Sequence, residues 1–267
     1  MLEMVSSAPG AGIFKLFSNQ EETHVRKNGF TVIELVIVIA IIAIVASIVI
    51  PIALEARISA NERDAMAMMK KIAVAQTACK EMQAIDTDND GVGEYGMLDE
   101  LSGFAPIRGT TSHIASALLP EAYPRPEYEA VVPRLRHSGY FFQVFLPRKD
   151  SSGTWGITTA WIVGPSGIAS GWIGTVPETF PDTDLSEQFW CAYAWPAKFG
   201  ETGKRVFFVN QEGVLRVFEN NREQPYSGDT LNAPNPDYDA AFVAADRGTI
   251  TGQVDDDCWK PLVGLPH

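Results

Sequence analysis

The chain is poor in the residues that build catalytic centres and nucleic-acid surfaces. Only four histidines occur, His24, His113, His137 and His267, the first and last of them near the two ends. No Gly-x-Ser-x-Gly, His-Glu-x-x-His, Walker loop or dinucleotide fingerprint is present, and Gly164-Pro165-Ser166-Gly167 has the wrong spacing for a nucleophile elbow. Carboxylates abound, yet no pattern sets two of them at working distance, so an enzyme is not expected. Positive charge is scarce: Lys+Arg 21 against Asp+Glu 33 gives a net charge of −12. Without a Lys/Arg cluster there is no stripe to neutralise phosphates, which excludes nucleic acid as a partner. Three cysteines, Cys79, Cys191 and Cys258, allow at most one intramolecular disulfide. Cys191 with Cys258 is the preferred pair, and three thiols are the alternative.

Charge is almost absent between Phe30 and Leu54. About 25 residues there carry one ionisable side chain, Glu34, and at roughly 1.5 Å rise per residue they cross a hydrocarbon core of about 30 Å as a helix. A carboxylate that far inside an apolar span is unfavourable unless it is paired. Either Glu34 meets a cation on another chain, or it sits hydrated at the interface of a plain anchor. An ordinary secretory signal is excluded, because the apolar stretch exceeds the roughly 7–15 residues of such a signal and Ala46-Ser47 and Ala53-Leu54 make poor cleavage sites. Arg26 and Lys27 precede the span, so the positive-inside tendency keeps the N-terminus cytoplasmic, with Arg57 and Arg63 as a counterweight. From Glu55 to Ile85, apolar residues at Ile58, Ala65, Met69, Ile72, Ala73, Ala75, Cys79 and Met82 recur at three-to-four spacing and predict an amphipathic continuation. Pro51 removes one backbone donor, which predicts a kink in this long helix but no end to it.

Gly29-Phe30-Thr31, Glu34 and the apolar run to Pro51, behind the Arg26-Lys27 pair, resemble the type IV pilin and pseudopilin family. Its precursors carry a basic leader ending in Gly, then Phe-Thr-x-x-Glu and a long apolar run. The resemblance covers Arg26 to Ile58. It implies a leader at 1–29, a cut between Gly29 and Phe30 by a prepilin peptidase that also methylates the new Phe30 amine, and a transmembrane or filament-core helix at 30–54. The amphipathic continuation would then occupy 55–85 and a globular head 86–267. It also implies that the freed Phe30 amine pairs with Glu34 of a neighbour and fixes the axial register. The implied partners are copies of itself or other pilins, the prepilin peptidase/N-methyltransferase, an inner-membrane assembly platform with its cytoplasmic ATPase, and membrane lipid. The implied location is the inner membrane, single-pass, with a periplasmic head that assembly draws into a type IV pilus or a type II secretion pseudopilus.

Roughly 180 residues follow the helix, enough for one well-buried domain or two small ones. They open with Asp86-Thr87-Asp88-Asn89-Asp90-Gly91-Val92-Gly93-Glu94. Alternate Asp residues followed by Gly begin a calcium loop whose ligands would be Asp86, Asp88, Asp90, the Val92 carbonyl and Glu94. Met97 stands where a bidentate glutamate belongs, Asp99 or Glu100 being substitutes, and a metal-free Asx and Gly turn accounts for the same residues. Short helices are predicted at Leu98–Leu101 and Thr110–Leu119. Strands are predicted at Tyr140–Leu146, Thr158–Val163, Phe189–Trp195, Arg205–Asn210 and Val214–Glu219, the last two joined by a hairpin at Gln211-Glu212-Gly213. The expected fold is α+β, a long N-terminal helix packed on a small antiparallel sheet. Pro120–Pro133 and Gln224–Asp239 read as surface loops. The segments Gly91–Gly96, Ser138–Phe142, Tyr193–Pro196 and Phe207–Gly213 are similar to a group of uncharacterised bacterial envelope proteins, which implies a shared head and no activity. A membrane-anchored extracytoplasmic binding module, with Trp155, Trp161, Trp172, Trp190 and Trp195 lining a groove, is the alternative function.

Overall fold

The computed structural model describes residues 30–119, 135–149, 155–157, 181–228, 234–237, 239–243 and 253–262. Helix α1 (Val32–Glu81) runs through Pro51 without interruption. Its end is set by backbone geometry. The Gln83 N–H donates to the Lys80 carbonyl (3.1 Å) and the Ala84 N–H to the Cys79 carbonyl (2.9 Å), with Gln83 at φ 51. This is a Schellman closure built without glycine. The chain divides into two compact units between Ile48 and Val49, inside α1.

In the first unit the apolar side chains are bare: Ile33, Leu35, Ile39, Ile42 and Ile44 are all more than half exposed. None of the described residues buries this surface.

The second unit is an α+β head. Its six-stranded antiparallel sheet has the order β1-β2-β5-β6-β7-β8, formed by β1 (Leu135–His137), β2 (Tyr140–Phe145), β5 (Cys191–Pro196), β6 (Val206–Asn210), β7 (Arg216–Phe218) and β8 (Lys260–Pro261). A separate antiparallel pair joins β3 (Pro147–Lys149) to β4 (Trp155–Ile157). The β1–β2 link is a two-residue turn, Ser138-Gly139, with positive φ at both positions, the backbone twist that tight hairpins favour. The predicted β6–β7 hairpin forms, with the Gly213 N–H on the Asn210 carbonyl (2.9 Å).

Strand alternation makes the sheet two-faced. Tyr140, Phe142, Val144, Ala192, Ala194, Phe207 and Val209 join one cluster with Met68, Met69, Ile72 and Cys79 of α1. Phe141, Phe145, Tyr193, Trp195 and Phe208 join a second with Tyr226, Phe242, Val254 and Trp259 from the C-terminal segment. The expected single layer over α1 is therefore a sheet covered on both sides. Polar clamps fix α1 in place. Glu62 is buried and accepts from the Lys204 and Arg205 N–H groups and from the Arg205 guanidinium, at 2.5–3.2 Å. Gln76 bonds both backbone groups of Gly96, at 2.7 and 2.9 Å.

Several expectations are corrected. Residues 110–119 form bends and irregular backbone rather than a helix. Gly109 takes φ +73, and the Thr110 hydroxyl bonds the Ile107 carbonyl, local bonds that compete with helix formation. Met82 is 64% exposed because the helix has ended at Glu81. The Cys191–Cys258 disulfide is not formed: both are thiols, Cys191 inside the second cluster and Cys258 on an exposed turn. Part of the expected Gln224–Asp239 surface loop is anchored, since Tyr226 is buried and exchanges backbone bonds with the Asn220 amide (2.8 and 3.0 Å). Trp190 and Trp195 are core residues, 2% and 0% exposed. The Thr158–Val163 strand, the Pro120–Pro133 loop, Trp161 and Trp172 lie outside the described residues, as does the side chain of Trp155.

Candidate functional site

Two places collect the residues singled out in the sequence. At the start of α1, Thr31 is the N-cap and Glu34 the third helical residue. The Glu34 Oε2 accepts from the Thr31 N–H (2.9 Å) and hydroxyl (2.8 Å), while the Thr31 hydroxyl oxygen accepts from the Glu34 N–H (3.2 Å). This reciprocal capping box satisfies donors that a helix start leaves open and puts negative charge at the positive end of the dipole. Phe-Thr-x-x-Glu is thus a helix-start signal in its own right. Phe30, 85% exposed, precedes it, and the Glu34 Oε1 has no hydrogen-bond partner among the described residues. Gly29 and the leader 1–29 lie outside the described residues.

The second place is the loop beyond α1. The Glu94 N–H closes its base on the Ile85 carbonyl (2.8 Å). Gly93 lies so close to the last turn of α1 that a Cβ there would sit 2.1 Å from the Lys80 carbonyl oxygen. Inside the loop, Asp88 accepts from the Asp90 N–H (3.2 Å), Asp90 from the Val92 N–H (2.8 Å) and Asp86 from the Gly91 N–H (3.2 Å). These bonds gather one carboxylate oxygen each from Asp86, Asp88 and Asp90 within 4.8 Å of one another. Val92 is exposed at the rim. Glu94 is not with them: its Oε1 takes the Thr87 N–H and hydroxyl, and its Oε2 the Arg108 guanidinium (2.7 Å).

Sequence reasoning missed two members of this cluster. Helix α3 (Thr183–Ser186), capped by Asp182 accepting from the Leu185 N–H (3.1 Å), brings Asp184 and Glu187 to Asp88, again within 4.8 Å. Lys80 ties this turn to α1 by donating to the Glu187 carbonyl (2.6 Å). The acidic spacing of Asp182, Asp184 and Glu187 is visible in the sequence, but only the fold brings it to a loop about ninety residues earlier. One buried oxygen of Asp86 and one of Glu187 lack a hydrogen-bond partner. Burial, then Asp90, Asp88 and Asp184, push the Glu187 carboxyl above its usual range. An all-oxygen donor set of this kind suits a hard divalent cation.

Behind the loop lies a closed ionic cluster. Arg108 is buried between Glu94 (2.7 Å) and Glu100 (3.0 Å) and also donates to the Tyr95 carbonyl (2.7 Å). Burial opposes its charge, but Glu100 and Glu94 outweigh that and hold the guanidinium protonated. Asp99, one residue before Glu100 in α2 (Leu98–Leu101), is buried with neither carboxyl oxygen hydrogen-bonded. Burial and the charge of Glu100 push its carboxyl up to about 7. Cys79, beneath the cluster, is pushed up to about 12 chiefly by burial, which makes it an inert thiol. Asp99 and Glu100 therefore belong to the interior and not to the loop they were expected to complete.

The capping box and the bare apolar helix coincide with a known motif. Residues 25–50 match the family model of the prokaryotic N-terminal methylation motif. The chain carries a prepilin-type N-terminus. That is consistent with a type IV pilin or pseudopilin family, whose members are structural rather than catalytic, and it implies processing by a prepilin peptidase and assembly with other pilins. Helix α1 is long and apolar enough to cross a membrane. No curated protein and no solved structure matches the chain.

Proposed function

We propose that the protein is a pilin-like or pseudopilin-like structural subunit, cut between Gly29 and Phe30, methylated on Phe30 and assembled from the inner membrane into a type IV pilus or type II secretion pseudopilus. The supporting observation is a bare apolar stretch of helix, 32–54, whose one carboxylate, Glu34, stands in its first turn four residues after Phe30 within a matched methylation motif. Lipid covers that surface before assembly and neighbouring helices cover it afterwards. Glu34 keeps its capping bonds through Oε2 and offers Oε1 to the methylated amine of a neighbour, which neutralises both charges and sets the register. The head sits on the periplasmic side, because Arg26 and Lys27 hold the leader in the cytoplasm.

Mass spectrometry of the mature N-terminus tests this, with methylated Phe30 the expected result. An intact leader on membrane-embedded protein overturns it and leaves a tethered binding module. Glu34→Gln keeps the capping geometry without the charge. It should be processed normally yet yield at least about tenfold less polymer, since one buried ion pair per subunit is lost.

We further infer that the acidic loop takes calcium. Asp86, Asp88 and Asp90 would be its ligands, with Asp184 and Glu187 in place of Glu94. The supporting observation is the convergence of carboxylates from two distant segments on Asp88.

A further inference from the structure

The charges of the head are segregated. On α1 the buried positions Ile58, Glu62, Ala65, Met69, Ile72 and Gln76 define one face. The opposite face, advanced by the three-to-four step of a helix stripe, carries Ala60, Arg63, Ala67, Lys70 and Val74, all exposed, Val74 to 70%. Among the described residues no carboxylate pairs with Arg63 or Lys70. In a chain of net charge −12 this is an unneutralised positive stripe with small and apolar residues between the charges. Beyond the C-terminal end of the same helix, Asp86, Asp88, Asp90, Asp184 and Glu187 crowd together, and among the described residues no lysine or arginine pairs with any of their carboxylates, Lys80 being bonded only to the Glu187 carbonyl. Even with one divalent cation bound, five carboxylates leave this patch negative.

We propose that the α1 stripe at Arg63 and Lys70 docks the acidic patch of Asp88, Asp184 and Glu187 on a second copy of this chain. Two different, complementary patches on one subunit make a heterologous contact, and such a contact repeats into an open helical filament where an isologous one would close into a dimer. At about 1.5 Å per residue, Arg63 and Lys70 lie roughly 15–30 Å short of the end of α1, so the second copy is displaced along the helix axis by that order. The small side chains of Ala60 and Ala67 let the partner approach, and the charges choose which end of it arrives. This rests on the filament-subunit reading and adds the surface through which heads meet.

The test uses the full-length chain assembled in cells, with Cys258→Ser removing the exposed thiol. Lys70→Cys combined with Asp184→Cys should give a ladder of disulfide-linked chains under oxidation, and neither single cysteine should. Lys70→Glu with Arg63→Glu should lower polymer yield about fivefold, more at low salt, and adding Asp184→Lys with Glu187→Lys should restore it. Polymer that contains methylated Phe30 but forms no ladder and is indifferent to charge reversal overturns this contact and leaves the subunit reading standing. Binding of the stripe to anionic vesicles, lost in Lys70→Glu and without the ladder, assigns it to lipid and overturns the contact as well. A wild-type chain that keeps its leader and makes no polymer overturns both.

Discussion

Asp99 offers the most quantitative test of how the head is built. Its carboxyl is buried, neither oxygen has a hydrogen-bond partner, and Glu100 stands beside it, so the proton is held up to about 7 in the folded head against 3.8 for an ordinary aspartate. The folded state therefore binds a proton that the unfolded chain has released at any pH between those values. Stability contributed by the protonated form is whole below the unfolded value and declines as pH rises toward the folded one, at up to about 1.4 kcal/mol per pH unit, for a total of about 4 kcal/mol. Asp99→Asn cannot ionise. It buries an amide as unpartnered as the protonated carboxyl it replaces, so it carries no penalty that titrates. The variant should be about as stable as wild type at pH 4 and more stable at pH 8, the gain growing between those values. Urea midpoints of the mature chain in detergent, read from the fluorescence of the buried Trp190 and Trp195, measure this. Other titrating groups cancel in the difference between the two proteins. Parallel stability profiles from pH 4 to pH 8 would refute the reasoning, because they would mean that Asp99 finds water or a partner.

The acidic loop and the cysteines give two further tests. Calcium at about one hundred times its dissociation constant should stabilise the head by about 2.7 kcal/mol, with the gain abolished by chelation and by Asp88→Asn. A thermal midpoint indifferent to calcium in the wild type removes the ion from the account. A maleimide should label one thiol per native chain, Cys258, and reach Cys79 and Cys191 only after denaturation. Native protein that takes no label would restore the Cys191–Cys258 bridge.

The legible parts of this molecule are those whose determinants lie close together in the chain. The amphipathic run of α1 and the strands at Tyr140, Cys191 and Val206 depend on spacings of two to four residues, and all are visible as patterns. Strands β2, β5 and β6 read clearly because they are buried along their whole length and so are nearly continuous in apolar and aromatic residues. The short strands β1, β3 and β8 carry too few residues for a period to show. Glu94 was misread for a different reason. Its position in an alternating acidic loop is what a ligand would have, and only the arrival of Arg108, fourteen positions later, turns the carboxylate inward. Asp184 and Glu187 were invisible as loop partners because no local rule connects them to Asp88.

The same distinction separates what the chain completes alone from what it leaves undone. In the head, every large residue of the two clusters is covered, and the ion pairs that go inside, Glu62 with Arg205 and Glu94 and Glu100 with Arg108, are closed within the chain, while the buried Asp99 carboxyl has no partner among the described residues. In the first half of α1 the apolar surface has no cover among the described residues, and at its start one carboxylate oxygen has no partner among them. An isolated helix of that composition is unstable toward any arrangement that covers it, whether bilayer or bundle. A bilayer would be served equally well by a helix without Glu34, whereas a bundle needs a device that stops its members sliding past one another. One charge at a fixed depth would supply that device, and the complementary patches on the head would supply a second. Two separated contacts fix both the rise and the rotation between neighbours, where a greasy helix alone fixes neither.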